Sequence, residues 1–337
     1  MMKNALFFIS IIISLVFVSK TVFRITPDII TEKTKHDTDD PAIWVNHKDP
    51  EKSIVFGTDK DSDGAIYAFD LEGKIIKEKT IKGLKRPNNV DLQYNFKLND
   101  SVTVDVLAFT EREKNQIRIF SVPDMKPLDI GGLPVFEDET NSKFRIPMGI
   151  SLYSSPIDNA LYAIVSRKYG PEKNYLYQYE IKSDGERVSL ELVRKFGNFS
   201  GKQEIEAVAV DNELGYIYYS DESHCIRKYF AEPSKGNKEL GCFGGDIFEG
   251  DIEGIAIANF KNGTGYIIVS NQKKGTFNIF SRKNNEYVRE INLNTNQTDG
   301  CEIVTIPLNK IFKNGLFVAM NNERNFYFYD LGKLGLD

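Results

Sequence analysis

A short motif, in which acidic or amide residues stand just before an apolar run, recurs six times along this 337-residue chain. The copies are spaced by roughly 50 to 60 residues, a period typical of four-stranded propeller blades rather than of helical repeats. Carboxylate and amide oxygens in this number suit Ca²⁺, which takes six to eight oxygen ligands with loose geometry. The copies are Asp39-Asp40-Pro-Ala-Ile-Trp-Val, Asn88-Asn89-Val-Asp-Leu, Pro147-Met148-Gly-Ile-Ser-Leu, Glu204-Ile-Glu206-Ala-Val-Ala-Val, Asp251-Ile-Glu253-Gly-Ile-Ala-Ile and Asp299-Gly-Cys-Glu-Ile-Val.

The polar residues ahead of these runs supply one set of candidate cation ligands. If the runs are the inner strands of a propeller, their starts converge at one mouth of the central channel. Like charges crowded there raise one another's pKa, and a bound divalent cation relieves the repulsion. Solvated turn residues are the alternative for any single position. The inner set is Asp39, Asp40, Asn88, Asn89, Asp91, Glu204, Glu206, Asp251, Glu253 and Asp299.

A second set comes from the hairpin loops between the predicted second and third strands, which open on the same face. Arg presents a planar fork to a phosphate and Lys a point charge, so basic groups facing an acid-lined mouth would suit a phosphorylated ligand. Ordinary solvated loop charges are the alternative. The outer set is Lys60, Arg112, Arg167, Lys168, Glu222 and Gln272.

The elements that position both sets are short strands. Each motif is followed by a two-strand hairpin rich in Ile, Val, Phe and Tyr, such as Tyr216-Ile-Tyr-Tyr with Cys225-Ile-Arg-Lys-Tyr. Fourth strands are predicted at 74–79 and 188–196, and no helical periodicity is sustained after residue 30. The sequence therefore predicts an all-β fold, a six-bladed β-propeller with a central channel.

The composition agrees with a single large β domain that binds no nucleic acid. Hydrophobic residues make up 41% and aromatic residues 12% of the chain, enough for a substantial core of strands. The net charge is −5 and the pI about 5.5, so no general basic surface exists for nucleic acid. An anionic ligand would need local cations to overcome this field.

The first 30 residues are predicted to be a signal peptide or an uncleaved N-terminal anchor, with the propeller spanning 31–337. Lys3 precedes an apolar run from Ala5 to Val18, which has the length of a signal-peptide core rather than of a membrane span. We therefore expect export to the extracellular space or the periplasm, with a membrane tether if the segment is retained. A monomer is expected.

Three cysteines, Cys225, Cys242 and Cys301, are too few for a disulfide framework. Buried free thiols are the expected state, and one pair formed after export is the alternative. The stretch from Asp59 to Asp70 matches an EF-hand loop, but strands flank it, so we favour a hairpin turn over an extra calcium site.

Familiar catalytic motifs are missing from the sequence. Only three histidines occur, without zinc spacing, and no nucleophile elbow, P-loop or dinucleotide fingerprint is found. Water activated by a metal ion is the remaining economical route to hydrolysis.

At these residues the chain resembles the calcium-dependent β-propeller phytases of the Bacillus type, from about Asp37 to Leu331. The resemblance is carried by motifs that keep their order and spacing, above all the copies that begin at Asp39, Asn88 and Asp251. It implies a calcium-dependent phosphoric monoester hydrolase of the 3-phytase type, which attacks myo-inositol hexakisphosphate (phytate) with metal-activated water. It also implies several Ca²⁺ ions and a substrate bound as a calcium complex.

The resemblance assigns roles by position. Calcium-site positions are Asp39, Asp40, Glu206, Glu222, Asp251, Glu253, Gln272, Asp299 and Asn325. Of these, Glu206, Asp251, Glu253 and Asp299 are predicted to hold the catalytic metals. Phosphate-binding positions are Lys60, Arg112 and Lys168, with Arg167 added as the neighbour of Lys168.

The chain also departs from the family pattern in two blades. Met148 stands where the family commonly has a phosphate-contacting Tyr, and the loop 292–297 before Asp299 has no carboxylate. Two other functions therefore stay open: a six-bladed calcium-dependent lactonase or esterase, and an exported binding propeller in which calcium is only structural.

Overall fold

Six four-stranded antiparallel sheets make up the protein, which we describe from a computed structural model covering residues 23–336. The predicted all-β, six-bladed propeller is confirmed. The innermost strands of the six blades are β2 (Thr38–Trp44), β6 (Pro87–Lys97), β10 (Pro147–Ser154), β14 (Val208–Asp211), β18 (Ile252–Asn259) and β22 (Cys301–Val304). The second strands are β3 (Ile54–Asp59), β7 (Thr103–Glu111), β11 (Leu161–Arg167), β15 (Tyr216–Asp221), β19 (Gly265–Asn271) and β23 (Leu316–Asn321).

The outer half of each blade is less regular. The third strands are β4 (Gly64–Phe69), β8 (Gln116–Val122), β12 (Lys173–Ser183), β16 (Cys225–Phe230), β20 (Thr276–Ser281) and β24 (Asn325–Asp330). The outermost strands are β5 (Ile81–Leu84), β9 (Leu133–Pro134), β13 (Val188–Asn198), β17 (Gly241–Phe243), β21 (Tyr287–Ile291) and β1 (Ile29–Ile30). The outer strand predicted at 188–196 is confirmed, but the one predicted at 74–79 lies later, at β5.

Helical structure within residues 23–336 consists only of short 3₁₀ turns, and none of it is long and apolar enough to cross a membrane. The turns are Pro50–Lys52, Lys77–Lys79, Arg112–Lys114, Ser142–Arg145, Pro233–Lys235, Gly245–Ile247, Lys261–Gly263, Gln272–Lys274 and Leu331–Leu334.

The ring is closed by strands from the two ends of the described chain. β1 pairs with β24, so Ile29 lies opposite Phe328 and Ile30 opposite Tyr327. The propeller therefore begins before residue 31, where the sequence placed its boundary. The apolar run at 5–18, on which the export prediction depends, lies outside the described residues.

The core consists of six hydrophobic clusters, one between each pair of neighbouring blades. Second strands such as β11 and β15 are buried on both faces, which explains their nearly continuous apolar sequences. Gly57 allows Phe326 of the last blade to pack against the first, because a Cβ at Gly57 would lie 2.2 Å from the Phe326 ring.

The inner strands touch one another in sequence around the channel, from β2 against β6 to β22 against β2. Four of the six begin with a β-bulge, located in the repeated motif itself. A bulge suspends the alternation of side chains between the two faces of a sheet. Neighbouring polar residues of one motif can therefore point to different places, one at the mouth and one inside the channel.

Candidate active site

Six carboxylates from blades 1, 4, 5 and 6 gather at one mouth of the channel, and we call them the carboxylate cluster: Asp39, Glu204, Glu206, Glu222, Glu253 and Asp299. Carboxylate oxygens of Glu204, Glu206 and Glu222 lie within 4.8 Å of one another. The charge of Glu253 interacts with those of Glu206, Glu222, Asp299 and Asp39. The structure thus brings together residues that are up to 260 positions apart in the sequence, Asp39 and Asp299 being the most distant pair.

Burial and mutual repulsion together disfavour the charged forms of most of these acids. Burial raises the pKa of Glu222 to about 9, with help from Glu204, Glu206 and Asp251. The pKa of Asp299 is raised to about 6, chiefly by burial and against the pull of Lys60. Burial also raises the pKa values of Asp39 and Glu253 well above their usual range.

Glu206 behaves differently from its neighbours. Burial acts to raise its pKa, but the positive charge of Lys60 and a hydrogen bond from Asn88 outweigh it and hold the pKa below the usual value. Asn88 Nδ2 donates to Glu206 Oε1 at 2.6 Å. Glu206 is therefore the carboxylate that stays ionised most readily in the centre of the cluster.

Three basic residues surround the cluster where the sequence predicted them. Lys60 Nζ donates to Asp39 Oδ1 at 2.8 Å and lies 3.8 Å from Asp299 Oδ2. Lys168 forms an ion pair with Glu204. The Arg112 guanidinium donates to Asn88 Oδ1 at 3.0 Å and so lies one residue away from Glu206.

The predicted position Arg167 does not join them. Its side chain is fully buried, with its guanidinium 4.1 Å from the centre of the Phe136 ring and 4.5 Å from that of Tyr177. It also donates to Glu139 Oε1 at 2.6 Å. The structure therefore argues against the predicted role of Arg167 in substrate binding, and gives it a packing role inside the third blade.

The remaining predicted ligands lie at the edge of the cluster or apart from it. Gln272 donates to Asp299, and Asp251 Oδ2 is 3.2 Å from Lys273 Nζ, an interaction that the sequence did not suggest. Asn325 is buried and accepts a hydrogen bond from Asn321 at 3.1 Å. The contacts of Asn325 therefore connect it to the β23–β24 turn rather than to the carboxylates.

Asp40 and Asp91 point into the channel rather than to its mouth. Asp40 Oδ2 accepts from the Val90 amide at 3.0 Å, and Asp91 Oδ2 accepts from Ser151 Oγ and the Leu152 amide, both at 2.7 Å. Each therefore ties one blade to the next. The role of Asp40 as a calcium ligand stays a prediction, and it would fall to the other oxygen, Oδ1.

The site also depends on hydroxyl groups that the sequence analysis missed. Thr110 Oγ1 accepts from the Asn89 amide at 3.2 Å and donates to the Met148 carbonyl of the next blade at 2.7 Å. Ser166 does the same between the Gly149 amide and the Ile205 carbonyl, at 2.8 Å each. The sequence did carry a signal for these hydroxyl groups, because a Ser or Thr stands directly before the last residue of five of the six second strands.

The glycines of two motifs permit the blades to meet at the mouth. A Cβ at Gly254 would lie 2.5 Å from the Asp299 carbonyl oxygen, and one at Gly300 would lie 2.4 Å from Asp40 Oδ1. The glycine that follows the acid in these motifs is therefore required for close approach.

The EF-hand-like stretch is a hairpin turn between β3 and β4, as we favoured. Of its acids, Asp59 accepts through Oδ1 from the amides of His36 and Asp37 at 2.8 Å each, while its Oδ2 is buried without a partner. Asp63 pairs with Lys35 at 2.6 Å.

Two of the three cysteines are not the free thiols that we expected from the sequence. Cys225 and Cys242 form a disulfide that joins β16 to β17, while Cys301 is free and buried as expected. Cys225 directly follows His224, the last residue of the turn that carries Glu222.

The donor set fits a hard divalent cation. Asp39 Oδ2 and Glu222 Oε1 are buried carboxylate oxygens without a hydrogen-bond partner, which is costly in a protein interior unless another ligand is bound. Oxygen ligands alone, with several carboxylates, match Ca²⁺ better than softer metals.

Comparison with known proteins agrees with this geometry. The phytase family model matches residues 5–326. The chain belongs to the phytase family. It is 33% identical over 300 residues to the 3-phytase of Bacillus subtilis (strain 168), covering 85% of this chain and 74% of that relative.

The two departures from the family pattern add no carboxylate to the mouth. Met148 of the third blade is buried, with 1% of its surface exposed, and offers no polar group. In the loop 292–297, Asn292 Oδ1 and Gln297 Oε1 accept hydrogen bonds from Asn294 and Asn322. At both departures, therefore, the chain offers a cation no carboxylate.

Proposed function

We propose that this protein is an exported, calcium-dependent phosphomonoesterase that releases phosphate from phytate. The observation that supports it is the pairing, in one channel mouth, of partnerless carboxylate oxygens with lysines. Asp39 Oδ2 and Glu222 Oε1 offer sites to a cation. Lys60 pairs with Asp39, and Lys168 pairs with Glu204, which lies beside Glu222. Family membership and the 3-phytase relative support the same function.

Several of the acids would hold Ca²⁺, namely Asp39, Glu206, Glu222, Glu253 and Asp299, with Asp251 at the edge. When bound, the ions neutralise the substrate's charge and provide activated water for attack on phosphorus. This explains how an acidic protein can accept a polyanion, and why we expect the substrate to arrive as a calcium complex.

The chain's own basic groups orient the phosphoryl group. Lys60, Arg112 and Lys168 approach the cluster from three successive blades. Catalysis of phosphoryl transfer consists mostly of such positioning and of charge stabilisation. Asn88 and Gln272 fix Glu206 and Asp299 by hydrogen bonds, so that the acids keep their places as the substrate binds.

The test is phosphate release from phytate in millimolar calcium, with and without excess chelator. We expect release in calcium and its loss with chelator. The Glu206→Gln variant should lose activity, whereas Asp100→Asn, an equal charge change at a 99% exposed acid, should not. Folded protein that releases no phosphate in calcium would overturn the proposal.

Export and a monomeric state belong to the same proposal. The Cys225–Cys242 disulfide supports an oxidising compartment, and the apolar run from Ala5 to Val18 supports a leader or anchor. Cell fractionation with mass determination of the mature chain tests the first, and light scattering of the purified protein tests the second.

A further inference from the structure

The disulfide in the outer half of the fourth blade has one accessible and one buried cysteine. Cys225, at the start of β16, is 3% exposed, whereas Cys242, in the edge strand β17, is an exposed residue. The three residues of β17 pair with β16 and with no other described strand. A reagent in solvent can therefore approach the bond from the side of Cys242.

The neighbour of Cys242 is suited to stabilise a thiolate. His224 Nε2 lies 3.9 Å from Cys242 Sγ, and a ring nitrogen of His224 and the two sulfurs lie within 4.8 Å of one another. An imidazole N–H in this place can donate a hydrogen bond to a sulfur anion. Stabilising the reduced form makes a disulfide easier to open.

The disulfide also links two segments that lead to acids of the channel mouth. Cys225 directly follows the turn that carries Glu222. The segment 244–250 runs from the end of β17, which holds Cys242, to Asp251. Both acids belong to the proposed calcium site, Glu222 within the cluster and Asp251 at its edge. The bond therefore connects two positions of the mouth covalently.

The turn and the segment are in close contact at one end and separated at the other. A Cβ at Gly245 would lie 2.0 Å from the His224 carbonyl oxygen, whereas farther along a pocket lined by Ser223 and Asp251 lies between them. Ser223 has a φ of 55°, in the left-handed region that is unfavourable for residues other than glycine. A strained turn beside a pocket has room to relax once the covalent link is broken.

Other contacts keep the segment folded without the disulfide. The rings of Phe243 and Phe248 pack against Phe280 of the fifth blade, with centroids 5.2 and 6.2 Å away. Opening the bond should therefore loosen the positions of Glu222 and Asp251 while the blade stays intact.

We propose that Cys242 is a thiol-exchange site, at which a small external thiol opens the disulfide and thereby weakens calcium binding at the mouth. This inference rests on the proposed function, whose calcium site it regulates. By linkage the effect is reciprocal, so bound calcium protects the disulfide by the same factor. Calcium binding is then favoured in an oxidising compartment, where the bond is closed.

The exchange needs no reagent besides the thiol. The thiolate of one small molecule attacks Cys242 Sγ and forms a mixed disulfide there, while Cys225 Sγ leaves with the electron pair and takes a proton from water. A second thiolate attacks the sulfur of the first small molecule and releases the Cys242 thiolate beside His224. The two small molecules depart joined by a disulfide, and two electrons have passed to the protein.

The first experiment equilibrates the purified protein in glutathione redox buffers, with and without saturating calcium. Free thiols are trapped by alkylation and mapped by mass spectrometry. We expect glutathione on Cys242 in the intermediate, alkylation of Cys225, and no reaction at the buried Cys301. The value of [GSH]²/[GSSG] at which half of the disulfide is open should be about tenfold higher in calcium.

Calorimetry then compares the calcium affinity of the closed and the opened protein, with circular dichroism to verify the fold. Opening should weaken calcium binding about tenfold. The double variant Cys225→Ser/Cys242→Ser should bind calcium as weakly as the opened parent and should not respond to glutathione. Cys301→Ala, the matched control at the cysteine outside the disulfide, should behave as the parent does.

Three results would overturn the inference: a disulfide that millimolar glutathione does not open, opening that unfolds the protein, and opening that leaves calcium affinity unchanged. The last result together with phosphate release from phytate would leave the proposed function standing alone. If calcium binding depends on the disulfide but no phosphate is released, the proposed function fails and the exchange site stands.

Discussion

Acids at the two ends of the inner strand β14 differ in their hydrogen-bond partners. At the mouth, Glu206 lies in a cluster where two carboxylate oxygens have no donor at all. At the other end, Asp211 accepts from the buried Arg282 through both oxygens, at 2.6 and 2.5 Å, and Glu213 accepts from the same guanidinium at 2.9 Å. Both ends present carboxylates, but of these acids only those at the mouth have a buried oxygen without a donor.

This difference teaches that acidic residues alone do not identify a metal site. A carboxylate saturated by arginine contributes to stability and has nothing to offer a ligand. A carboxylate with an open, buried oxygen is unfavourable by itself and becomes favourable when a ligand arrives. The variants below should therefore separate catalysis from stability along one strand.

The largest effect should come from Glu206→Gln. It keeps the shape of the side chain but removes the charge at the centre of the cluster, so kcat/KM for phytate should fall by about 100- to 1000-fold. Phosphate-release kinetics measure this, with circular dichroism to verify the fold. Activity above a tenth of the parent's would show that Glu206 is not central.

At the other end of the strand, Asp211→Asn should destabilise the protein by about 3 kcal/mol, since it leaves a buried arginine with one carboxylate partner fewer. Urea titration measures the loss. Calcium affinity and turnover of the folded enzyme should stay within about twofold of the parent's. A loss of calcium affinity would contradict the separation of the two ends.

The adjacent residues Arg167 and Lys168 show the same contrast between a residue that stabilises the fold and one that serves the site. Lys168→Ala should raise the KM for phytate about tenfold with little change in stability. Arg167→Ala should lower the free energy of unfolding by about 2 kcal/mol through lost stacking on Phe136 and Tyr177. Turnover that does not depend on Lys168 would favour a lactonase-like enzyme.

The last contrast is a pH dependence of stability. In calcium-free protein the pKa of Glu222 is raised to about 9 and that of Asp299 to about 6. Between the unfolded and folded pKa values the folded state binds more protons, so the free energy of unfolding falls as pH rises from about 4.5 to 9. Thermal denaturation at pH 6 and pH 9, with and without calcium, measures this.

The gain in Tm on adding calcium should therefore be larger at pH 9 than at pH 6. Glu222→Gln should flatten the pH dependence of Tm in the calcium-free protein, because it removes the group whose folded and unfolded pKa values differ most. If the Tm of the calcium-free parent does not change with pH, the raised pKa values of Glu222 and Asp299 would be contradicted.

The blade count and most of the cluster were predictable because the acids precede apolar inner strands at a regular period. Converging strand starts then place Asp39, Glu206 and Asp299 together whatever the detailed packing. The opposite orientations of Asp39 and Asp40 were not predictable, because a bulge changes the alternation without a distinct sequence signal.

Other features escaped because they depend on tertiary contacts. Arg167 looks like a loop cation in the sequence, and only the positions of Phe136, Tyr177 and Glu139 show that it is buried. The pairing of Cys225 with Cys242 requires the register of β16 against β17.

The closure of the ring by β1 and β24 sets the order in which the protein can be completed. The Asp330 amide donates a hydrogen bond to Asp28 Oδ2, which lies 302 positions earlier in the chain. A ribosome therefore releases the closing strand of the propeller first and its partner last. Until the final blade emerges, β1 has no edge to join, and the ring stays open at one seam. Contacts of such long range make folding slow, so the nascent chain must keep that seam from pairing with other chains.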